Sequence, residues 1–106
     1  MVKIVWTEQS ISDLKEILDY ISRYSRRYAE NQVRRIKTKT LVLRTQPESG
    51  RIVPELGIVQ IKELIEGNYR IVYRLLSNEL VEILTIHHSA RDFESREIEK
   101  INKPGP

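Results

Sequence analysis

Cysteine is missing from this 106-residue chain, and histidine occurs only twice, as the neighbours His87 and His88. Without thiols the protein can form no disulfide, no thiolate zinc site and no cysteine nucleophile. The two histidines have no carboxylate partners at the spacing of a metal site, so we expect neither a metal nor another cofactor. A glycine-rich phosphate loop and a G-x-S-x-G turn are absent from the sequence as well, so it carries no mark of a nucleotide-binding protein or a serine hydrolase.

Long hydrophobic runs are also missing. No stretch approaches the roughly 18 apolar residues that a membrane-spanning helix needs. Residues 1–6 contain no charged segment leading into an apolar stretch, so a secretory signal is not predicted. With 40% hydrophobic and 31% charged residues, a chain of this length suits one compact domain. We therefore expect a cytoplasmic protein of a single domain.

The charge is unevenly distributed along the chain. Residues 1–53 carry eleven Lys or Arg and six Asp or Glu, a net +5, whereas residues 54–106 carry seven and nine, a net −2. Between Arg23 and Arg44 there are eight basic residues and one acid, Glu30. Such a cluster favours a polyanion or an acidic partner. The alternative is a solvated helix face that charge keeps soluble.

Helical periodicity dominates the first half. Residues 2–6 alternate and predict a strand, and apolar residues then recur at three- and four-residue steps from Ile11 to Tyr24, in one stripe. A second helix is predicted from about Ala29 to Gln46, and the break before it predicts an antiparallel hairpin. Its inner face is predicted to consist of Val33, Ile36, Thr40 and Leu43.

The second half is predicted to form three strands, at residues 58–65, 69–76 and 80–88, joined by short turns into an antiparallel meander. Alternation places Ile71 and Tyr73 on one face of the middle strand and Arg70 on the other. It also places Leu84 beside Ile86 on the last strand. The predicted fold is α+β in the order βααβββ, with the two-helix hairpin covering one face of the sheet. The face that carries Arg70 is expected to be open to a ligand.

Basic and histidine side chains of this sheet are candidate functional groups. Arg70 and Arg74 share a strand face, and with Lys62 on the preceding strand they could grip phosphates or carboxylates. The alternative is that they pair with Glu63, Glu66 or Glu82 across the sheet. His87 and His88, followed by Arg91, could supply an acid or base near neutral pH. Adjacent strand residues face opposite ways, however, so at most one histidine could serve a given site, and the alternative is a histidine that only caps the strand.

Several short motifs occur together in a fixed order. They are Ser12-Asp13-Leu14, residues 47–56 (PESGRIVPEL), Lys62-Glu63-Leu64, residues 67–73 (GNYRIVY), and residues 83–88 followed by Arg91-Asp92. In this order and spacing the chain resembles the RelE/ParE superfamily of toxins from bacterial toxin–antitoxin modules. The resemblance predicts a toxin domain over residues 1–93 and a short helical or disordered tail over residues 94–106.

The resemblance implies a cytoplasmic toxin that an antitoxin with an acidic flexible segment neutralises, and that forms oligomers only with that antitoxin. ParE-like members poison DNA gyrase without chemistry of their own, whereas RelE-like members cut messenger RNA on the ribosome. Residues 47–55 and the histidine near Arg91 favour the gyrase branch. A toxin-fold module with no target is the third alternative. The candidate target- or antitoxin-binding residues are Arg34, Arg35, Lys37, Arg70, Arg74, His88 and Arg91.

The ribonuclease branch would use Lys62, Arg70 and His88. Only part of the set of residues usual in that branch is present. Gln60 or Ile61 stands where its second lysine is expected, and Phe93 stands where its late tyrosine is expected. A phenylalanine ring can donate neither a proton nor a hydrogen bond.

Overall fold

A computed structural model describes residues 1–88 of the chain. Its elements are β1 (Lys3–Trp6), α1 (Glu8–Ser22), α2 (Arg26–Thr40), β2 (Arg51–Ile52), β3 (Ile61–Glu66), β4 (Tyr69–Ser77) and β5 (Leu80–His88). Within the described residues the strands form one sheet in the order β1-β5-β4-β3-β2. β1 runs parallel to β5, and the other neighbours are antiparallel. No helix in residues 1–88 is long and apolar enough to cross a membrane.

This architecture confirms the predicted α+β fold, with corrections at the element bounds. The second helix starts at Arg26 and ends at Thr40, and a 3₁₀ turn, Leu41–Arg44, follows it. The two-residue strand β2 was not predicted, and β3 starts three residues later than expected. The reason is that residues 53–60 leave the sheet, with a turn at Gly57, whose φ of 64° favours glycine.

Side-chain oxygens begin both helices. Thr7 precedes α1 and accepts a hydrogen bond from the Ser10 amide at 3.1 Å, and Ser25 does the same for the Tyr28 amide at 3.1 Å. Each contact satisfies one of the amides that a helix start leaves without a helical partner. The Thr7 hydroxyl also lies 2.8 Å from the carbonyl oxygen of Ile83, to which it donates. The start of α1 is thereby tied to β5.

The main core lies between the helical hairpin and the sheet. Ile36 and Leu43 are fully buried in the same cluster as Ile71 and Tyr73, and Val33 packs against that cluster. This confirms the predicted match between the stripe of the second helix and one face of the middle strand. The stripe predicted on α1 is shorter than expected, because Ile11 and Tyr24 at its two ends are exposed.

A bulge in β5 corrects the predicted alternation on the last strand. Val72 pairs with Thr85, but Tyr73 pairs with Ile83, so Leu84 is the extra residue. A bulge shifts the side chains that follow it relative to the partner strand. Leu84 therefore packs on the far side of the sheet from Ile86.

A second, smaller core covers part of the face that was expected to be open. Its buried members are Val53, Ile61 and Val72, and Leu56, Ile58 and Leu84 pack against them. Residues 53–58, which leave the sheet after β2, supply half of this cluster. The expectation of an open second face is therefore wrong in the region that these residues cover.

Asp13 on α1 accepts hydrogen bonds from β5 just beyond the last residue that β5 pairs with in β1. Its Oδ2 accepts a hydrogen bond from the Ile86 amide at 2.9 Å and another from the Thr85 hydroxyl. An unpaired strand amide would be costly at this part-buried edge. The motif residue Asp13 thus has a structural role in joining α1 to β5.

We expect Asp13→Ala to destabilise the protein by about 1–3 kcal/mol, because it leaves the Ile86 amide without an acceptor. For a domain of this size each kcal/mol corresponds to a fall in Tm of about 4–8 °C. Thermal denaturation followed by circular dichroism measures the change. Asp19→Ala, at an exposed position of the same helix, is the control and should shift Tm little. Equal shifts for both variants would contradict the role given to Asp13.

Candidate functional site

The register of the sheet separates the residues that were grouped as one basic site. Lys62 pairs with Tyr73 and His88 pairs with Tyr69, so both lie on the helix-covered side. Arg70 pairs with Ile65 and His87, which places it on the opposite side. Arg70 and Arg74 share a face of β4, as predicted, but Lys62 lies on the other side of the sheet, so the prediction that it acts together with them is wrong.

Arg70 is the centre of an ionic cluster in which it and Glu63 are buried, Glu55 is partly exposed and Arg51 is exposed. Its Nη1 and Nη2 donate to Glu55 Oε2 and Oε1 at 2.6 and 2.7 Å, and its Nε donates to Glu63 Oε1 at 2.6 Å. Arg51 Nε donates to the other oxygen of Glu63, also at 2.6 Å. We call these four residues the arginine–glutamate cluster. Glu63 was among the partners that the sequence suggested for Arg70, whereas Glu55 was missed although it lies within the quoted motif at residues 47–56.

Burial explains why the Arg70 guanidinium is paired with two carboxylates. The Glu63 side chain is fully buried and that of Arg70 is 8% exposed, so neither charge could be left without a partner at an acceptable cost. The forked guanidinium matches both carboxylates, a geometry that lysine could not reproduce. The cluster thereby fixes the Arg70 side chain inside the protein.

The same contacts shift the ionisation of the cluster. The side-chain hydrogen bond from Arg70 lowers the pKa of Glu55 from 4.5 to about 2, against the opposing effect of its desolvation. The carboxylate of Glu55, through the hydrogen bond that it accepts, raises the pKa of Arg70. His87 is buried and is near enough to help lower the pKa of Glu55.

Tyr73 holds the segment that carries this cluster. Its hydroxyl donates to the Pro47 carbonyl oxygen and accepts from the Gly50 amide, both at 2.9 Å. A Cβ on Gly50 would lie 2.7 Å from the Glu63 carbonyl oxygen, so the backbone approach requires glycine here. Burial raises the pKa of the Tyr73 phenol. The motif at residues 47–56 is therefore a packed structural segment that is anchored on the sheet.

The basic face of α2 is the exposed candidate surface. Arg34, Arg35 and Lys37 are exposed, as predicted for a solvated or partner-binding helix face. A shallow depression of about 260 Å³ lies beside this helix. It is lined by Arg34, Arg35, Thr38, Lys39 and Glu66. We call it the α2 depression. Three of its five lining side chains are basic and one is a carboxylate, and much of its surface comes from their apolar stems.

The remaining candidates have different environments. His88 packs edge-to-face on Tyr69, with ring centroids 5.3 Å apart. Arg74 is partly buried at a position opposite Glu82. Arg91 and the predicted tail lie outside the described residues.

The fold and the motifs define a small bacterial toxin of the RelE/ParE type. The chain belongs to the family described as the ParE toxin of the type II toxin–antitoxin system parDE, whose model matches residues 4–93.

Individual relatives agree with this assignment. Over 91 residues the chain is 33% identical to "Toxin RelE2" of Caulobacter vibrioides, covering 86% of this chain and 99% of the relative. A chain of the chromosomal ParDE system of P. aeruginosa has a TM-score of 0.68 at 21% identity, covering 83% of this chain and 96% of that one. A chain of the RelBE2 toxin–antitoxin complex of Mycobacterium tuberculosis has a TM-score of 0.59 at 18% identity, with 82% and 96% covered. These two structures show the shared fold.

The pKa of Glu55 predicts a pH-dependent contribution to stability. A carboxyl group whose pKa is lowered on folding stabilises the protein above about pH 4.5, and the effect is lost as the pH falls towards about 2. Glu55→Gln should therefore be less stable than the parent at pH 7, and the difference should shrink at pH 2.5. Urea unfolding at both pH values measures it. Glu79→Gln, at an exposed turn, should change stability at pH 7 by less than about 0.5 kcal/mol. A Glu55→Gln difference of equal size at both pH values would contradict the ion pair.

Proposed function

We propose that this type II toxin arrests growth by binding DNA gyrase in the cytoplasm and does not cut RNA. The observation that carries the proposal is the position of Arg70, whose guanidinium is occupied by Glu55 and Glu63 inside the sheet. A catalytic arginine has to reach the scissile phosphate of its substrate. Here such a contact would take the guanidinium from the part-buried Glu55 and would leave the buried Glu63 with only its contact to Arg51.

The other two ribonuclease candidates do not converge on Arg70. Lys62 and His88 lie on the opposite side of the sheet, and they are themselves separated by two strand spacings and four residues of β4. That separation is about 10 Å across the sheet and about 13 Å along it. In-line cleavage of RNA needs a base, an acid and a stabilising charge around one phosphate. A protein that only binds its target needs no such arrangement.

Ribosome-dependent mRNA cleavage is the second candidate function. The relative that is 33% identical is named "Toxin RelE2", and RelE-like toxins are the branch for which the resemblance implies mRNA cleavage. His88 at the end of β5 is only partly buried and carries an imidazole, the group that most often serves in general acid–base catalysis. In that case His88 would act with residues beyond the described part of the chain. A toxin-fold module without a target is the third alternative, and it predicts no growth arrest.

Purified toxin should inhibit supercoiling of relaxed plasmid by DNA gyrase, or raise the yield of cleaved plasmid, and should leave ribosome-bound mRNA intact. His88→Ala should inhibit gyrase as well as the parent does, because the histidine has no chemical role in this proposal. Both proteins are assayed side by side against gyrase and against translating ribosomes. Cleavage of the mRNA by the parent, abolished in His88→Ala, would overturn the proposal and identify His88 as catalytic.

The cognate antitoxin is the second partner that we propose. The structural relatives come from a ParDE system and a RelBE2 complex, and the basic face of α2 offers a complementary surface for an acidic segment. The α2 depression is where such a segment would place a carboxylate, beside Arg35 and Lys39. Disordered acidic segments can fold onto surfaces of this kind, although ordering them costs free energy.

We expect antitoxin binding to weaken as salt rises from 50 to 500 mM, because the charges of α2 are exposed and screened by ions. The variant Arg35→Glu/Lys39→Glu should weaken binding by about tenfold or more at low salt and should flatten the salt dependence. Isothermal titration calorimetry with the antitoxin encoded next to the toxin measures both. Lys3→Glu/Lys15→Glu makes the same change in net charge at exposed positions outside α2 and is the control. Equal losses in the two variants would assign the effect to net charge, and binding insensitive to salt would assign it to apolar contacts.

A further inference from the structure

The closed end of the helical hairpin exposes an unusual concentration of aromatic and arginine side chains. It consists of Tyr20, Arg23, Tyr24, Arg26, Arg27 and Tyr28, which we call the hairpin-tip patch. Tyr20, Tyr24 and Tyr28 are 56%, 79% and 57% exposed. Three of the five tyrosines of the chain therefore lie within nine residues on the surface, although the sequence pattern had placed Tyr24 in the core-facing stripe. Clustered exposed aromatic residues mark interaction sites more often than scattered ones do.

Two arginines of this patch, Arg26 and Arg27, also stand where a positive charge lowers the stability of a helix. Arg26 and Arg27 occupy the first two positions of α2, and the first turn of that helix contains no acidic residue. The positive end of the helix dipole disfavours cations there. Glu30 compensates Arg26 through a contact of 2.9 Å between two exposed side chains. Side chains that are unfavourable for local structure and do not stabilise the fold are expected at functional sites.

Contacts within the patch give it a preset shape. The rings of Tyr20 and Tyr24 pack edge-to-face with centroids 5.9 Å apart, and the Arg23 guanidinium carbon lies 5.8 Å from the Tyr20 centroid. Side chains that are already ordered lose less entropy when a partner binds. Arg23 covers one face of Tyr20 and Tyr24 contacts the ring as well, so Tyr20 is not an open platform for stacking a nucleobase. A preset surface of tyrosine and arginine side chains suits a protein partner, and the test below distinguishes that partner from a nucleic acid.

We propose that the hairpin-tip patch is the surface that binds the protein target of the toxin, at a target site with carboxylates around an apolar pocket. Tyrosine and arginine are enriched among the residues that dominate binding energy at protein interfaces. The patch carries three arginines, and the exposed acids nearest to it in sequence are Asp19 and Glu30, so its charge stays positive and an acidic rim on the target would complement it. The inference rests on the proposed function only in taking that target to be gyrase.

The test compares Arg23→Ala/Tyr24→Ala with the parent and with Lys15→Ala/Ile11→Ala. Both double variants remove one exposed cation and one exposed apolar side chain from α1 or its C-terminal end. Thermal denaturation first establishes that all three proteins fold with Tm values within a few degrees. Growth arrest on induction is then measured in cells, and inhibition of supercoiling and binding to purified gyrase are measured in vitro. The tip variant should lose growth arrest and weaken target binding by about tenfold or more, whereas the control variant should behave as the parent.

Each other outcome has a separate meaning. A folded tip variant that arrests growth as the parent does overturns the inference. A tip variant that still arrests growth and escapes the antitoxin also overturns it, because the patch would then bind the antitoxin. Binding of a 20-base-pair duplex or a single-stranded oligonucleotide that depends on the tip overturns the assignment of a protein partner. If the parent arrests growth without affecting gyrase, the proposed function fails, and loss of arrest in the tip variant still supports the patch as the target surface.

Discussion

One buried charge organises the face of the sheet that the helices do not cover. The guanidinium of Arg70 lies inside the protein, and its stability there depends on the two oxygens of Glu55 and one of Glu63. Because an unpaired charge in this position would be strongly destabilising, the segment that carries Glu55 has to stay against the sheet. Val53 and its neighbours then bury Val72 in the second core. The ionic cluster and this small core therefore stabilise each other.

This arrangement limits what Arg70 can contribute to the surface of the protein. The arginine of the GNYRIVY segment is occupied by carboxylates of the same chain, and the sheet separates it from Lys62 and His88. Exposed arginines and lysines cluster instead along α2, and three exposed tyrosine rings lie at the hairpin tip. These surfaces are suited to binding partners. Fold alone does not decide between the two activities, because function depends on which side chains reach a target.

Most of the architecture could be predicted from periodicity. The spacing of Val33, Ile36 and Leu43 and the alternation of Ile71 and Tyr73 correctly predicted which surfaces pack together. Prediction failed where a local pattern is interrupted. The bulge at Leu84 reverses the expected face of that residue, and no feature of the strand sequence marks the bulge. The covering of the second face was missed because residues 53–58 contact Ile61 and Val72 only after the chain has folded.

The sequence by itself determined the α+β class, the helical hairpin, the basic character of α2 and the membership suggested by the ordered motifs, because these depend on spacing and composition along the chain. Only the tertiary structure decided which charges are available. Arg70 and Arg34 are equivalent as residue types, yet one is enclosed by Glu55 and Glu63 and the other is exposed. Ion pairing across strands depends on register and on the path of a distant segment. Neither can be derived from the residues beside an arginine in sequence, since the partners of Arg70 lie seven and fifteen positions away.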